Sequence, residues 1–248
     1  MDNNLQPHIR LGRLGIKYAI LPGDPKRVDK VAAFLDNSEE LEFNREYKSI
    51  RGEYKGIPIL TMSTGMGGPS MAIAVEELKN IGIKAAIRIG SSGALKPYIS
   101  LGQLIVPTAV VRNEGTTDAY IERGYPAVAD IDLLFSILET MKLLGFTHYK
   151  GKIRSHDSFY TEKEDEICDF WSKMDVLGSE MESAALFVVG AMRGMQVASV
   201  LNVVVEFKKD LENGINDYVN GASLTNQGET NEIIAALESL VHFNRREI

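Results

Sequence analysis

An arginine inside a buried strand is the feature of this sequence that leaves the chain least freedom. The stretch Ala85-Ala86-Ile87-Arg88-Ile89-Gly90-Ser91-Ser92-Gly93-Ala94-Leu95 opens as a short apolar run, the pattern of a strand covered on both faces. Burying a guanidinium without a partner costs more than one core strand gains, so the fold must bring Arg88 an anion. Gly90 to Gly93 are small residues against which an oxyanion or a sugar could lie closely. Two readings stand open at this point: a ligand site, or a tight turn with Arg88 paired to an internal carboxylate.

The flanking sequence supplies the frame. Tyr18-Ala19-Ile20-Leu21 reads as a strand, followed by a helix start with Asp24 as N-cap and Pro25 as first helical residue. Lys26 and Arg27 then occupy the first helical turn, where the dipole favours acids, and a bound anion would resolve that conflict. Residues 40–54 alternate as strands, and a strand at Ile57–Met62 runs into the glycine loop Ser63-Thr64-Gly65-Met66-Gly67-Gly68-Pro69-Ser70. A helix with Ala72, Val75, Leu78 and Ile81 on one face ends at Gly82. Further strands are expected at Gln103–Val111, Lys150–Ser155 and Val197–Val205. Helices are expected from Asp130 to about Leu144, over Ala184–Met192, and from about Asn226 to Phe243. Residues 112–128 and Glu206–Gly221 read as loop and surface flap. Strands alternating with helices across short loops give an α/β fold, one domain over 1–248 with a mixed, mainly parallel sheet flanked by helices.

Composition excludes several functions. The formal charge of −7 argues against nucleic acid or an anionic membrane as the main partner. The single cysteine, Cys168, rules out a disulfide framework, and four scattered histidines show no metal-ligand spacing. There is no signal-peptide pattern and no long apolar run, so the cytoplasm is the expected compartment.

Polar residues mark the later chemistry. Asp157 reads first as a turn carboxylate capping backbone N–H groups. Phe159 and Tyr160 suit either core packing or stacking on a flat ligand. Glu180 and Glu182 stand before an apolar helix; one suits the helix start, and two together suggest that one grips a hydroxylated ligand. His8, in an irregular N-terminal arm, reads as solvated.

Taken together, Pro22-Gly23-Asp24-Pro25-Lys26-Arg27, Arg45-Glu46-Tyr47, the glycine loop, Arg88-Ile89-Gly90-Ser91-Ser92-Gly93, Asp157-Ser158-Phe159-Tyr160 and Ser179-Glu180-Met181-Glu182-Ser183-Ala184 resemble, in order and over nearly the whole chain, the nucleoside phosphorylases of the hexameric bacterial type, most of all the uridine phosphorylases. The resemblance implies reversible phosphorolysis of a nucleoside, with phosphate as co-substrate and no cofactor required. It implies a phosphate site of Gly23, Arg27, Arg88 and Ser91, with Arg45 from a neighbouring subunit. Glu182 would hold the ribose 2′- and 3′-hydroxyls, helped by Met181 and by Glu180 or its backbone, and His8 would reach the 5′-hydroxyl of the adjacent subunit. Phe159, Ser92 and Gly93 would line the base pocket. A potassium ion at a dimer interface would touch Glu46, Met66 and Ser70. A homodimer or homohexamer follows.

The base readers depart from the family. The glutamine and arginine that uridine phosphorylases carry just after the Phe-Tyr pair are replaced by Thr161-Glu162-Lys163-Glu164-Asp165, and Phe207-Lys208-Lys209 stands where a further arginine is expected. Lys163 or Lys208 could donate to a pyrimidine carbonyl and Glu162 could accept from its N–H. Val205 occupies the position of the purine-type aspartate, with Glu206 one residue beyond. Uridine is therefore the expected substrate, with a purine or broad-specificity phosphorylase as the alternative and a non-catalytic nucleoside-binding protein behind both.

Overall fold

The strand that carries Arg88 does not turn at its glycines. In the computed structural model, which describes residues 5–219 and 223–246, the strand β5 runs unbroken over Ala85–Ala94. It is paired on both sides over Ala85–Ile89 and again at Gly93. β1 (Tyr18–Pro22) and β10 (Gln196–Val205) lie parallel to it, placing Leu21 and Ser199 beside Arg88. At its far end β9 (Val176–Glu180) pairs antiparallel, setting Ser179 opposite Gly93. Ladder hydrogen bonds on both edges outweigh the conformational freedom that glycine gives up in a strand.

The sheet closes on itself at one end. β9 lies parallel to β8 (His148–His156), β8 parallel to β6 (Leu104–Asn113), and β6 antiparallel to β10, so five strands return to β5 as a ring. Beyond β1 the sheet opens into a wing of β4 (Ile57–Met62), β3 (Tyr47–Tyr54) and β2 (Asp36–Asn44). The centre, β4-β1-β5-β10, is parallel; antiparallel pairs build the wing and close the ring. This is the mixed α/β sheet flanked by helices that the sequence implies.

The helices cover the sheet through their apolar stripes. α6 (Ser183–Met192) packs on β10, β6 and β8, and α2 (Gly68–Ile81) packs on α6. The long α8 (Ser223–Arg246) lies on β10, β5 and β1, and α4 (Ile131–Leu144) packs on α8. Burial on both sides explains why β10, apart from its first residue, is buried throughout. Capping follows the sequence: Asp24 accepts from Lys26 N at 2.9 Å at the start of α1 (Pro25–Ala32), and Asp130 accepts from Leu133 N at 2.9 Å. Gly82 closes α2 at φ +105°, where a side chain would be strained.

Four elements fall where the sequence reads as loop or flap or where no element is assigned. α3 (Thr116–Tyr120) and β7 (Ala127–Val128) lie within residues 112–128, and α5 (Glu164–Lys173) follows the Phe159-Tyr160 pair. α7 (Leu211–Val219) forms inside the expected surface flap, whose last residue, Gly221, lies outside the described residues. α5 buries only Cys168 and α7 buries nothing, so neither carries an apolar period long enough to announce itself. No described helix is long and apolar enough to cross a membrane.

Candidate active site

Three chain starts converge at the C-terminal end of β5, where parallel sheets of this kind expose their ligand crevices. The β1–α1 turn brings Gly23 and Arg27, the β4–α2 loop brings Gly65 and Gly67, and the β9–α6 junction brings Glu180 and Glu182. Gly23 sits so close that an added Cβ would stand 3.1 Å from Gly65 O and 3.9 Å from Arg88 Nη1. Gly67, at φ +91°, aims its N–H at Glu182 Oε1. The glycines of both loops are thus required by geometry as well as by close approach.

Arg88 meets both of its sequence readings. It is 3% exposed; Nε donates to Glu180 at 3.0 Å and Nη2 to Glu182 at 2.5 Å. Nη1 has no hydrogen-bond partner and points toward Gly23. Two of its nitrogens therefore serve the internal ion pair, and the third is an orphaned buried donor, a group that calls for a ligand.

The two acidic residues divide their work. Glu180 accepts from Ser155 Oγ, Glu182 N, Ser183 N and Ser183 Oγ besides Arg88, so its carboxylate is committed to the start of α6. Five donors fill its lone pairs, so of the two expected ribose contacts of Glu180, through side chain or backbone, the side chain is engaged elsewhere. Glu182 accepts from Gly67 N and Arg88, with the Met181 backbone also near its carboxylate, and burial pushes its carboxyl above the ordinary range while Arg88 pulls it back. Met181 lies half-buried between them.

Arg27 is equally buried and equally matched. Nε donates to Glu229 at 2.9 Å, Nη1 lies 3.5 Å from Glu232, and Nη2 meets the hydroxyl of Tyr218 on α7. Glu232 accepts from Gly90 N at 3.2 Å through Oε2, while Oε1 has no hydrogen bond. Burial, moderated by Arg27, raises the Glu232 carboxyl to about 8. Glu229, Glu232 and Tyr218 are site residues that the sequence reading missed. The signal was present: Glu229 and Glu232 sit among Ile233, Ala236, Leu237 and Leu240 on the buried face of α8, where an unpaired carboxylate would not survive.

Other expected residues are placed as follows. Ser91 and Gly93 are half-buried on β5, and Ser92 Oγ donates to Asn202 O at 3.4 Å. Phe159 is half-buried and meets the exposed Tyr160 edge-on at 4.9 Å, so neither ring packs in the core. Asp157 accepts from Gly115 N at 2.7 Å, the backbone cap expected of it. Lys163 is exposed at the start of α5, and Lys208 is tied to Asp169 at 2.7 Å. Glu162 is exposed and Glu206 half-buried just past β10.

Two residues stand apart from the cluster. Arg45 is exposed at φ +56° in the β2–β3 turn, with no ion pair among the described residues. His8 is not solvated as the sequence suggests: Nδ1 lies 2.7 Å from Glu77 Oε1, and the same carboxylate accepts from the backbone of His8 and Ile9. Glu77 is a second buried acid on an apolar helix, and it anchors the arm. Near them Glu46 accepts from Ser70 Oγ at 2.6 Å; burial opposes the Glu46 charge, yet the Ser70 hydroxyl and nearby cations hold its pKa below the usual range. Met66 stands 87% exposed on the same loop as Ser70.

Comparison with known proteins agrees with this geometry. The model of the Phosphorylase superfamily matches residues 17–227. A uridine phosphorylase of Thermococcus kodakarensis is 40% identical over 199 residues, 75% of this chain and 72% of that one. A uridine phosphorylase of Escherichia coli is 38% identical over 77% of this chain and 81% of its own. The crystal structure of uridine phosphorylase from Vibrio fischeri superposes with a TM-score of 0.90 at 45% identity, covering 97% of this chain and 99% of that one. Purine nucleoside phosphorylase from Toxoplasma gondii superposes with 0.89 at 29% identity, covering 99% of both.

Proposed function

The chain belongs to the phosphorylase superfamily, and from that premise we propose that it catalyses the reversible phosphorolysis of uridine to uracil and ribose 1-phosphate. One observation carries the chemistry. Arg88 bridges the site, with Nη2 on Glu182 and Nη1 uncommitted beside Gly23. A phosphate bound at Nη1, Gly23 and Arg27 would lie next to the sugar held by Glu182, with Ser91 at its edge. Nucleophile and anomeric carbon are then neighbours before reaction, which removes the entropic cost of bringing them together.

The steps follow from the charges. Phosphate entry draws Arg27 from Tyr218 and Glu232, and Glu232 can remain neutral near pH 7 because its carboxyl is raised to about 8. Glu182, accepting from the 2′- and 3′-hydroxyls, fixes the ribose while the glycosidic bond lengthens and positive charge gathers on the sugar. The anionic phosphate and the Glu182 carboxylate face that charge and stabilise it. The base leaves with the bonding electron pair, and phosphate oxygen forms the new bond to the anomeric carbon.

Arg45 and His8 lie outside this cluster, so we place them in a neighbouring copy's site, in a homodimer or a trimer of such dimers. Glu46 and Ser70 offer two side-chain oxygens for a potassium ion, and a full shell would need a second copy's oxygens. A cytoplasmic role in nucleoside salvage fits the buried, free Cys168.

The test is an ultraviolet assay of the purified protein with uridine, thymidine, inosine and adenosine, each with and without phosphate. Phosphate-dependent cleavage of uridine is expected. Cleavage of purines alone would move the base assignment, and cleavage without phosphate would make the protein a nucleosidase. The purine arm is included because a guanosine phosphorylase of Halorubrum lacusprofundi is 38% identical.

A further inference from the structure

Among the described residues, one buried cation has no carboxylate in ion-pair contact. Arg154 on β8 is 7% exposed, yet it forms no ion pair among the described residues. Nε donates to Asn113 Oδ1 at 2.8 Å and Nη1 reaches Ser179 Oγ at a long 3.4 Å. Nη2 has no hydrogen bond among the described residues. Burial lowers the Arg154 pKa, and Glu164 on α5 offsets this only from a distance. A guanidinium held this way has donors to spare and a desolvation cost that its neighbours offset only in part.

Its place in the sheet says what it faces. Val205, Gly93, Ser179 and Arg154 are successive register partners across β10, β5, β9 and β8. Cross-strand partners project to one face of a sheet, so these four form one row. The row is open at its centre, since a Cβ added to Gly93 would meet nothing within 4 Å. Gly93 leads directly from Arg88 and Ser91, and Ser179 leads directly to Glu180, Met181 and Glu182. The Arg154 guanidinium therefore reaches Ser179 and lies on the face of the sheet that Ser91 and Gly93 share, two strands from Gly93.

His156 shares that face two residues along. Its Nδ1 lies 2.9 Å from Ser158 O, a carbonyl that can only accept. Nδ1 therefore carries the proton, and Nε2 is left as an acceptor. Burial and the neighbouring Arg154 charge keep the ring below its ordinary pKa against the weaker opposing pull of Glu180 and Glu164, which favours this neutral form. Phe159 follows in the same loop and is half-buried.

We propose that Arg154 and His156 read the base, Arg154 donating to the 4-carbonyl oxygen and His156 Nε2 accepting from the adjacent N3–H. A 2,4-dioxopyrimidine presents that acceptor–donor pair side by side. A 4-aminopyrimidine presents an amine and a bare ring nitrogen instead, which meet Arg154 and His156 with the wrong polarity. As the base leaves, negative charge spreads onto its carbonyl oxygens, so the Arg154 contact strengthens in the transition state. This inference rests on the uridine reading above and supplies the base contacts that Thr161–Asp165 lack.

The test compares wild type, Arg154→Gln and Arg154→Lys with uridine, 5-fluorouridine and cytidine, alongside the thermal shift produced by inorganic phosphate. In Arg154→Gln, kcat/KM for uridine should fall about a hundredfold, and less for 5-fluorouridine, whose more acidic base needs less help to leave. The phosphate-induced thermal shift should be unchanged, which a merely structural role would not allow. Arg154→Lys keeps the charge without the planar fork and should lose about tenfold; it decides the matter if the Gln variant does not fold. Uridine turnover within threefold of wild type in the folded variants, or loss of the phosphate shift in step with activity, would overturn the inference. A wild-type protein that cleaves uridine while both variants do so equally well overturns this inference alone; a wild type without phosphate-dependent cleavage overturns the uridine reading and this with it.

Discussion

The two ends of the site are built on opposite electrical principles. At the phosphate end Arg88 and Arg27 each have two buried acidic partners, Glu180 with Glu182 and Glu229 with Glu232, the last of them protonated near neutral pH. At the other end Arg154 is buried with neutral partners alone, Asn113 and Ser179. The contrast teaches what each end must do between turnovers. A phosphate site must hold two guanidinium groups close together without ligand, and surrounding acids make that tolerable. An end that meets a neutral base needs one donor kept hungry, and acids there would satisfy it.

The largest expected effect lies at the matched end. Arg88→Ala should lower phosphorolysis by about 10³-fold or more, since it removes both a phosphate donor and the clamp on Glu182. It should also lower stability by about 3–5 kcal/mol, because Glu180 and Glu182 are left buried without their cation. Arg154→Met, by contrast, removes an unpaired buried charge and should move stability by no more than about 1 kcal/mol. Chemical denaturation of both variants measures the difference directly. Equal losses would mean that Arg154 is a structural cation like Arg88 and that the two ends do not differ in kind.

The sequence carried this contrast unevenly. Arg88 was legible because a charge in an apolar run violates a local rule, and Arg27 because a base at a helix start violates another. Gly65 and Gly67 were legible as a glycine loop and Gly23 only through the family resemblance, and the caps Asp24 and Asp130 hold where the pattern puts them. The carboxylates that answer Arg27 were not legible, because Glu229 and Glu232 arrive from α8 some 200 residues away. The Arg154 row was hidden for a different reason. It exists only through strand register across β10, β5, β9 and β8, and β9 is a five-residue strand with two polar residues and a glycine. The helices α3, α5 and α7 are short and bury few residues, so pattern alone could not distinguish them from loop.

A smaller effect should separate the ends by pH. Glu232 is raised to about 8 in the folded chain, whereas an unfolded glutamate titrates near 4.3. A carboxyl raised in this way favours the folded state while it is protonated in both. Its contribution is fully present below the unfolded pKa and is lost as pH climbs from about 4.3 through about 8. Glu232→Gln, which keeps an acceptor for Gly90 N, should flatten the stability profile over that window. Above pH 8 the ionised Glu232 competes for Arg27, so the KM for phosphate should rise in wild type more than in Glu232→Gln. Comparing the two proteins cancels the titration of phosphate itself. The KM for uridine should follow the same course in both, because Glu232 touches only the phosphate end. A parallel rise in the uridine KM, confined to wild type, would couple the two ends.

The smallest effect concerns what covers Arg27. The hydroxyl of Tyr218 meets Arg27 Nη2, and the guanidinium carbon stands 5.7 Å from the centre of its ring. Tyr218→Phe removes the hydroxyl and keeps the ring, so one Arg27 donor becomes available to phosphate without loss of the stacking contact. The hydrogen bond is to a charged group but is exchanged for water or phosphate, so a net change of about 0.5–1 kcal/mol is expected. That corresponds to a two- to fivefold lower KM for phosphate, with kcat for uridine little altered. The same substitution should leave discrimination between uridine and cytidine untouched, because the Tyr218 hydroxyl meets Arg27 at the phosphate end, whereas α7 meets the row only through Gly214, which lies against Val205. A change in base preference instead would show that α7 folds over the whole site, and the matched and unmatched ends would then share one cover.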